Sequence, residues 1–502
     1  MKRKERFFFR RRKTKAREFS HFLQFLEKSM TIHIIYTMKE SNTVSKMTTA
    51  PVGPLILKNA IPTIITMMVT AIYNTADTFF VSKLGTSASG AVGIIFSLMS
   101  LIQAIGFTIG MGSGSITSRA LGANDLKKAS KYCTTAICFG FSAGVIFSVL
   151  GTIFNRQIAT SLGATPTILP YAMDYARYII FACPFMITSF VMNNQLRFQG
   201  KAIFSMCGMA AGGILNMFLD PLFIFVFDMG ISGAAIATFI SQVASFFILL
   251  SVFIFKKSTA EFALRNIARD IKTYFNIVTT GLPSLFRQGM ASVASIFMNI
   301  QAAKYGAFIT VFAMTPAQTA DAAVAGMAIT NRIFQLLMSV AIGMGQGFQP
   351  VCGMNLGAKK FGRVRDSYNF LLKITTAIMT VLGILVFIFA PQIAHIFRDD
   401  TAVISVASLA MRCQACVLPF HSLIFGTNML FQVAGVKKRA VALSSLRQGV
   451  LFVPLVFILP HIAAFFGAQP IFGVQITQTV SDLLSAAIAV PFMLNFFKRL
   501  GK

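Results

Sequence analysis

Apolar runs long enough to cross a bilayer core as α-helix recur along this chain from Pro54 almost to its end. They fall at 54–82, 88–118, 130–154, 168–195, 202–227, 231–255, 273–303, 317–350, 366–390, 402–431, 440–465 and 471–497. A hydrocarbon core about 30 Å thick needs about 20 helical residues to span it. The alternating apolar and polar positions of a membrane barrel are missing. The pattern predicts an all-α polytopic membrane protein with twelve transmembrane helices.

The runs repeat. Ile61-Pro62 and Gly85 recur as Leu282-Pro283 and Gly306, in each case 221 positions later. Ile109-Gly-Met-Gly112 returns as Ile342-Gly-Met-Gly345, and Leu121-Gly-Ala123 as Leu356-Gly-Ala358. Arg177, Pro184-Phe185 and Gly200 return as Arg412, Pro419-Phe420 and Gly435 at a spacing of 235. Two six-helix halves of the same orientation imply lobes related by a pseudo-twofold axis along the membrane normal, with a substrate site between them near the midplane. The expected division is a first lobe over 47–255, a polar cytoplasmic linker over 256–272 and a second lobe over 273–502. Gly110-Met-Gly112-Ser-Gly114 and Gly343-Met-Gly345-Gln-Gly347 lack a Walker lysine, so they read as close helix packing rather than phosphate loops.

Composition agrees. The chain is 55% hydrophobic and only 12% charged, with a mean hydropathy of +0.70, whereas soluble domains carry about 25% charged residues. The net charge of +29 invites a nucleic-acid reading, but the basic residues sit in the leader or between apolar runs. One set of connections carries Arg119, Lys127, Lys128, Lys131, Arg197, Lys201, the Lys256–Lys272 cluster, Lys359, Lys360, Arg363, Arg365, Lys437, Lys438 and Arg439. The other set carries only Lys83, Arg156, Lys304 and Arg398. The positive-inside rule then puts both termini in the cytoplasm. Seven cysteines lie mostly in apolar runs and form no disulfide framework. Residues 2–17 hold ten Lys/Arg. Residues 1–46 have two readings: a polybasic arm on anionic lipid, or a disordered leader upstream of a true start at Met38 or Met47. The second is favoured.

The chemistry is acidic. Asp77 lies inside the first run, six residues before Lys83; Asp220 lies in the fifth, eight before Asp228; Thr238 lies in the sixth. At about 1.5 Å per residue all three sit roughly 9–12 Å below the outer surface. Asn216 is one turn from Asp220 on the same face. An ionisable group at that depth costs about 2.5–3.5 kcal/mol to insert and is functional by default. Two carboxylates in one low-dielectric pocket call for a proton or a cation, and Asp, Asn and Thr oxygens suit a hard one such as Na⁺. Asp220 has a second reading, as a cap on the helix break at Pro221. Asp482, in the last run, falls outside this matched-depth set and is expected to matter less.

The Asn74-Thr-Ala-Asp77-Thr78 run, Asn216-x-x-x-Asp220-Pro221, Gly233-Ala-Ala-Ile-Ala-Thr238 and the repeated Leu-Gly-Ala pieces resemble the multidrug and toxic compound extrusion (MATE) family, from about Thr48 to the end. Gly281-Leu-Pro-Ser-Leu-Phe-Arg287-Gln288-Gly289 is similar to the MepA-like bacterial members, near the DinF-type branch. The resemblance implies a V-shaped two-lobe antiporter that exports organic cations and amphipathic drugs against an inward flow of Na⁺ or H⁺. It implies a cation site at Asp77, Asn216, Asp220 and Thr238, and a kinking proline at Pro62. The second half departs from the other bacterial branch: Met298 stands opposite Asp77 in the repeat, and the tenth run carries Arg412 instead of an acid. Coupling is therefore expected in the first lobe alone.

Polar residues inside the runs mark the substrate cavity: Asn193, Asn194, Arg287, Gln288, Asn331, Arg332, Gln346 and Gln349. Arg287 and Arg332 have a second reading, as charges that are paired within the second lobe rather than lining the cavity. His421 stands alone in its run, and no catalytic triad or metal cluster is visible. The expected protein is a monomer in the lipid bilayer, not an enzyme. Its partners are small amphipathic or cationic molecules and its coupling ion, with no cofactor and no nucleic acid. The alternative is a lipid-linked oligosaccharide flippase of similar architecture, which would be expected to line its cavity with arginines.

Overall fold

The computed structural model describes residues 43–307 and 315–500. Most of the leader lies outside the described residues. A short helix α1 (Thr43–Thr49) straddles the expected leader boundary, and α2 (Val52–Ser82), α3 (Thr86–Gly122) and α4 (Leu126–Ile153) follow. A short α5 (Asn155–Ser161) leads into α6 (Leu169–Phe198), α7 (Ala202–Pro221) with a π turn at Leu222–Val226, and α8 (Gly230–Ile254). The second half holds α9 (Ile271–Gly306), α10 (Pro316–Gly357), α11 (Phe361–Phe397), α12 (Thr401–Ala415) and α13 (His421–Ala434). It ends with α14 (Lys437–Ser445), a π turn at Leu446–Val450, α15 (Phe452–Phe465) and α16 (Pro470–Leu500).

The fold is all-helical among the described residues, in two bundles. Among the described residues ten helical stretches, counting α14, its π turn and α15 as one, are long and apolar enough to span a bilayer, and α12 with α13, bent by 45°, makes an eleventh. The twelfth expected span is α9. It is 36 residues long, but Lys272, Arg287, Gln288, Asn299, Gln301 and Lys304 keep it below the hydropathy that length and composition require. Its place in the repeat, with Leu282-Pro283 matching Ile61-Pro62, supports the assignment as a span.

The bundles meet along α2, α3, α9 and α10, and glycine makes the approach possible. A Cβ at Gly112 of α3 would overlap the carbonyl oxygen of Ile277 on α9, and one at Gly281 would overlap that of Thr108. In the second repeat, Gly347 of α10 lies against the backbone of Ala60 on α2, and Gly343 lies against Ile64. Both Gly-rich segments thus serve helix packing, as their sequence suggests. These close approaches fall in the halves of the helices nearer the basic loops, while Leu101, Ile296, Ile300 and Leu336, further along, are exposed.

Helix α2 passes Pro62 as one continuous helix with Pro62 buried. Proline removes an intrahelical donor, and the Thr63, Thr66 and Thr70 hydroxyls donate to the carbonyls of Asn59, Pro62 and Thr66 at 2.8–2.9 Å. Such back-bonding favours bending.

The stretch between the bundles is pinned rather than loose. Gln199 Oε1 accepts from the Thr259 and Ala260 amides at 2.7 and 3.0 Å, and Thr135 Oγ1 accepts from that of Ala268 at 2.9 Å. Asp270 caps α9 and accepts from Lys131 Nζ at 2.6 Å. The Lys131 hydrogen bond, with those from Thr273, holds the Asp270 carboxyl down at about 2. Its contribution is present above the ordinary carboxylate range and fades as pH falls through about 2.

At the other end, Met47 is buried. The carbonyls of Met47, Thr48 and Ala50 accept from Asn355 Nδ2, Lys360 Nζ and Arg363 Nη2 at 3.1, 2.9 and 2.6 Å. Deletion of residues 1–37 is expected to leave membrane insertion and transport intact, whereas deletion through Ala50 strips these acceptors and lowers yield. Membrane-fraction immunoblots of both truncations check this; loss of inserted protein in the shorter deletion would make the leader structural.

Candidate functional site: a buried carboxylate cage in the first bundle

Four helices converge on the acids expected from the sequence. Asp77 from α2 is 8% exposed, and Asp220 and Asn216 from α7 and Thr238 from α8 are 0%, 2% and 3% exposed. Asn216 Nδ2 donates to Asp220 Oδ1 at 2.9 Å and to Thr238 Oγ1 at 3.4 Å. Asp220 lies within charge–charge reach of Asp77. All four expected residues therefore belong to one cluster.

Two members have no counterpart in the sequence reading. Tyr175 of α6, fully buried, donates its hydroxyl to Asp77 Oδ2 at 3.2 Å and lies within hydrogen-bonding reach of Thr238. Tyr73, one turn before Asp77, stands within charge reach of both acids and packs on Gly213 of α7. Tyr175 lies six residues into its helix from Leu169, so its depth was available as a signal; its direction was not.

The unfilled valences decide the chemistry. Asp77 Oδ1, Asn216 Oδ1 and Asp220 Oδ2 are buried with no hydrogen-bond donor. Buried acceptors without partners are costly and rare in folded proteins. These three, two of them on the carboxylates themselves, make an acidic cage with free acceptors, the donor set a hard cation or a proton satisfies. No group of three or more His, Cys, Asp and Glu lies together among the described residues. The helix break helps: Pro221 closes α7, and the π turn at Leu222–Val226 follows it, a backbone device frequent at functional sites.

The second bundle has its own buried ionic cluster, also beside a π turn. Arg447 Nε donates to Asp482 Oδ1 at 2.7 Å, Gln478 Nε2 donates to the same oxygen at 2.8 Å, and His421 Nε2 lies 3.0 Å from Asp482 Oδ2. His421 Nδ1 faces the Val417 carbonyl at 3.1 Å. His421 is thus not alone in its helix, and Asp482 is fully engaged rather than peripheral. The sequence reading missed this because its four side chains come from three separate spans. Its carboxylate has a partner at each oxygen, the opposite of the first-bundle cage.

The residues expected to line a cavity divide. Asn194, Arg287 and Gln346 gather at the seam between the bundles around Arg197, a residue taken from sequence as part of a basic loop. Arg197 is 1% exposed; its Nη2 donates to Asn194 Oδ1 at 2.6 Å, and its Nη1 donates to Gln346 Oε1. Gln349 is buried nearby and donates to Gln432, which donates to Ser284. Gln288 is half-buried, next to Arg287. Asn193 turns away and donates to the Ser205 carbonyl at 3.2 Å. Asn331 and Arg332 lie about four turns from Gln346 along α10, outside this cluster. Among the described residues no ion pair to a carboxylate involves Arg287 or Arg332.

The family model MatE matches residues 62–222 and 294–458, one block in each half. The chain belongs to the MatE family. Its relatives include the multidrug export protein MepA of Staphylococcus saprophyticus, 25% identical over 437 residues that cover 87% of this chain and 92% of that one. The MepA of a Staphylococcus aureus strain is 26% identical over 450 residues, covering 89% and 95%. A solved structure described as the outward-facing conformation of a multidrug resistance MATE family transporter superposes with a TM-score of 0.84 at 25% identity, covering 92% of this chain and 100% of that one. A transporter from Pyrococcus furiosus, described as having a binding pocket of reverse polarity, superposes at 0.83 with 25% identity, covering 93% and 100%. The two-lobed fold expected from the repeat is the MATE fold. The MatE blocks contain Asp77, Asn216 and Asp220 of the cage and stop short of Thr238.

Proposed function

We propose that this MatE protein is a multidrug exporter of amphipathic and cationic molecules, driven by an inward flow of Na⁺ or H⁺ through the first-lobe cage. The observation that carries the reading is the cage itself: two buried carboxylates among α2, α6, α7 and α8, each with one unpartnered oxygen, beside the unpartnered Asn216 Oδ1. The multidrug export names of its relatives support the substrate class. The basic loops put the seam-closed end of the molecule in the cytoplasm, so this conformation corresponds to a carrier open to the outside. Occupancy of the cage by a cation would favour one orientation of α2, α7 and α8 over the other. A ligand shifts a conformational equilibrium only by binding the two states differently. The protein acts as a monomer in a bacterial cell membrane, with Pro62 as the point where α2 bends.

The test is ethidium efflux from proteoliposomes with imposed Na⁺ or H⁺ gradients. Efflux is expected under one gradient and is expected to collapse when that gradient is dissipated. Equal flux with and without a gradient would mark a channel or a passive path. A lipid-linked oligosaccharide flippase remains the second reading, because Arg197 and Arg287 put two guanidiniums at the seam. The acid cage ranks it below the exporter.

A further inference from the structure

At the seam between the bundles the pattern of unfilled valences is inverted. Arg197 Nε, Arg287 Nη1 and Gln346 Nε2 are buried donors with no acceptor. Arg197 and Gln346 are each 1% exposed and hydrogen-bonded to one another. Arg287 lies within charge–charge reach of Arg197, and no carboxylate acts on either guanidinium. The Gln346 amide cannot be turned round to satisfy its own donor, since its Oε1 accepts from Arg197 Nη1. The remaining contacts of Arg197, to Asn194 Oδ1, to Met111 Sδ and to the face of the Phe198 ring at 5.4 Å, bring no formal negative charge.

Two like charges buried together without a counter-ion are unfavourable, and a buried charge is retained when something pairs it. We propose that Arg197, Arg287 and Gln346 form a site for an oxyanion carried on an amphipathic molecule, with donors contributed by both bundles. Guanidinium groups match the planar, two-oxygen face of a carboxylate or phosphate. Arg287 is only half-buried, where α9 leaves the close seam of Ile277 and Gly281 and its next turns become exposed. The oxyanion therefore has a route in along α9. A free inorganic ion would lose its hydration there with nothing in return. An amphipath brings an apolar body whose burial offsets that loss.

This inference rests on the exporter reading for the identity of its ligand, and its test is an equilibrium measurement that needs no gradient. Protein in lipid nanodiscs is titrated with dansyl-undecanoic acid, with its uncharged primary amide, with dodecyl phosphate and with inorganic phosphate, and empty nanodiscs are subtracted. The acid is expected to bind at least about tenfold more tightly than the amide, the range of a charge-assisted hydrogen bond. Arg287→Gln is expected to shrink that preference below about threefold. This variant removes one of two like charges, so it should fold; Gln346→Met, which removes the third donor, is the independent check and should weaken the acid but not the amide. Preference for dodecyl phosphate over the acid would support the site and assign its ligand to a phosphate-bearing lipid. Equal binding of acid and amide, or inorganic phosphate binding as tightly as the amphipaths, would overturn it. Failure of ethidium efflux with an intact acid preference would count against the exporter reading and leave the site standing.

Discussion

Asp77→Asn is expected to yield a folded, membrane-inserted protein whose gradient-driven drug efflux falls to that of protein-free vesicles. Asp77 is 8% exposed, and among the described residues its carboxylate accepts a hydrogen bond only from Tyr175, with Oδ1 unpartnered. Replacing it removes a charge that costs about 2.5–3.5 kcal/mol in the bilayer interior and nearly preserves shape, so stability should hold or rise. Drug binding should persist, because the seam residues are separate from the cage. What disappears is the differential affinity for the ion that drives the exchange. Asp220→Asn should behave alike, since Asp220 shares the cage through Asn216. Efflux from proteoliposomes at matched protein level is the measurement. Near-normal efflux by Asp77→Asn would sink first-lobe coupling and direct attention to the second bundle.

Asp482→Asn should do the reverse and fail at the level of folding. Asp482 is also buried, 1% exposed, but it is paired with Arg447 at 2.7 Å, His421 at 3.0 Å and Gln478 at 2.8 Å. Neutralising it leaves the Arg447 guanidinium without a counter-charge. Breaking a buried pair by removing one partner costs about 3–5 kcal/mol, a large part of the stability of a typical domain, about 5–15 kcal/mol. The expected readout is a lowered unfolding temperature in detergent and a poor membrane yield. Arg447→Met in the same chain should recover part of the loss, because it removes the stranded charge. An Asp482→Asn protein as stable as the parent would show that the cluster contributes nothing to the second bundle. The contrast between the two substitutions separates a carboxylate held for an ion from one held for the fold.

Depth, span and repeat were legible in the sequence because each depends on a short stretch of chain. A run of about 20 apolar residues must be helical in lipid, where every backbone polar group is satisfied within its own segment. The distance of Asp77 from Lys83 or of Asp220 from Asp228 then follows from helical rise alone. The same reasoning marked Asp77, Asn216, Asp220 and Thr238, and it read the Gly-rich segments as packing surfaces. It also had limits of its own kind: the run at 273–303 reads as a span, yet α9 carries too many polar residues to pass by apolarity alone, and its place in the repeat is what supports it.

What the tertiary structure decided is which groups at one depth meet. Asp77 finds Tyr175 across 98 positions of chain, and Arg197 finds Gln346 across 149. Composition could not distinguish Asp77 from Asp482, since both are acids in apolar helices, nor tell that Arg197 belongs to a seam rather than to a loop. The cause is physical. Hydropathy and helical rise place a residue along the membrane normal, whereas charge compensation depends on how each helix is rotated and which neighbour it faces. Rotation and neighbour are set by packing, through contacts such as Gly112 on α9 and Gly347 on α2, which join residues far apart in the chain.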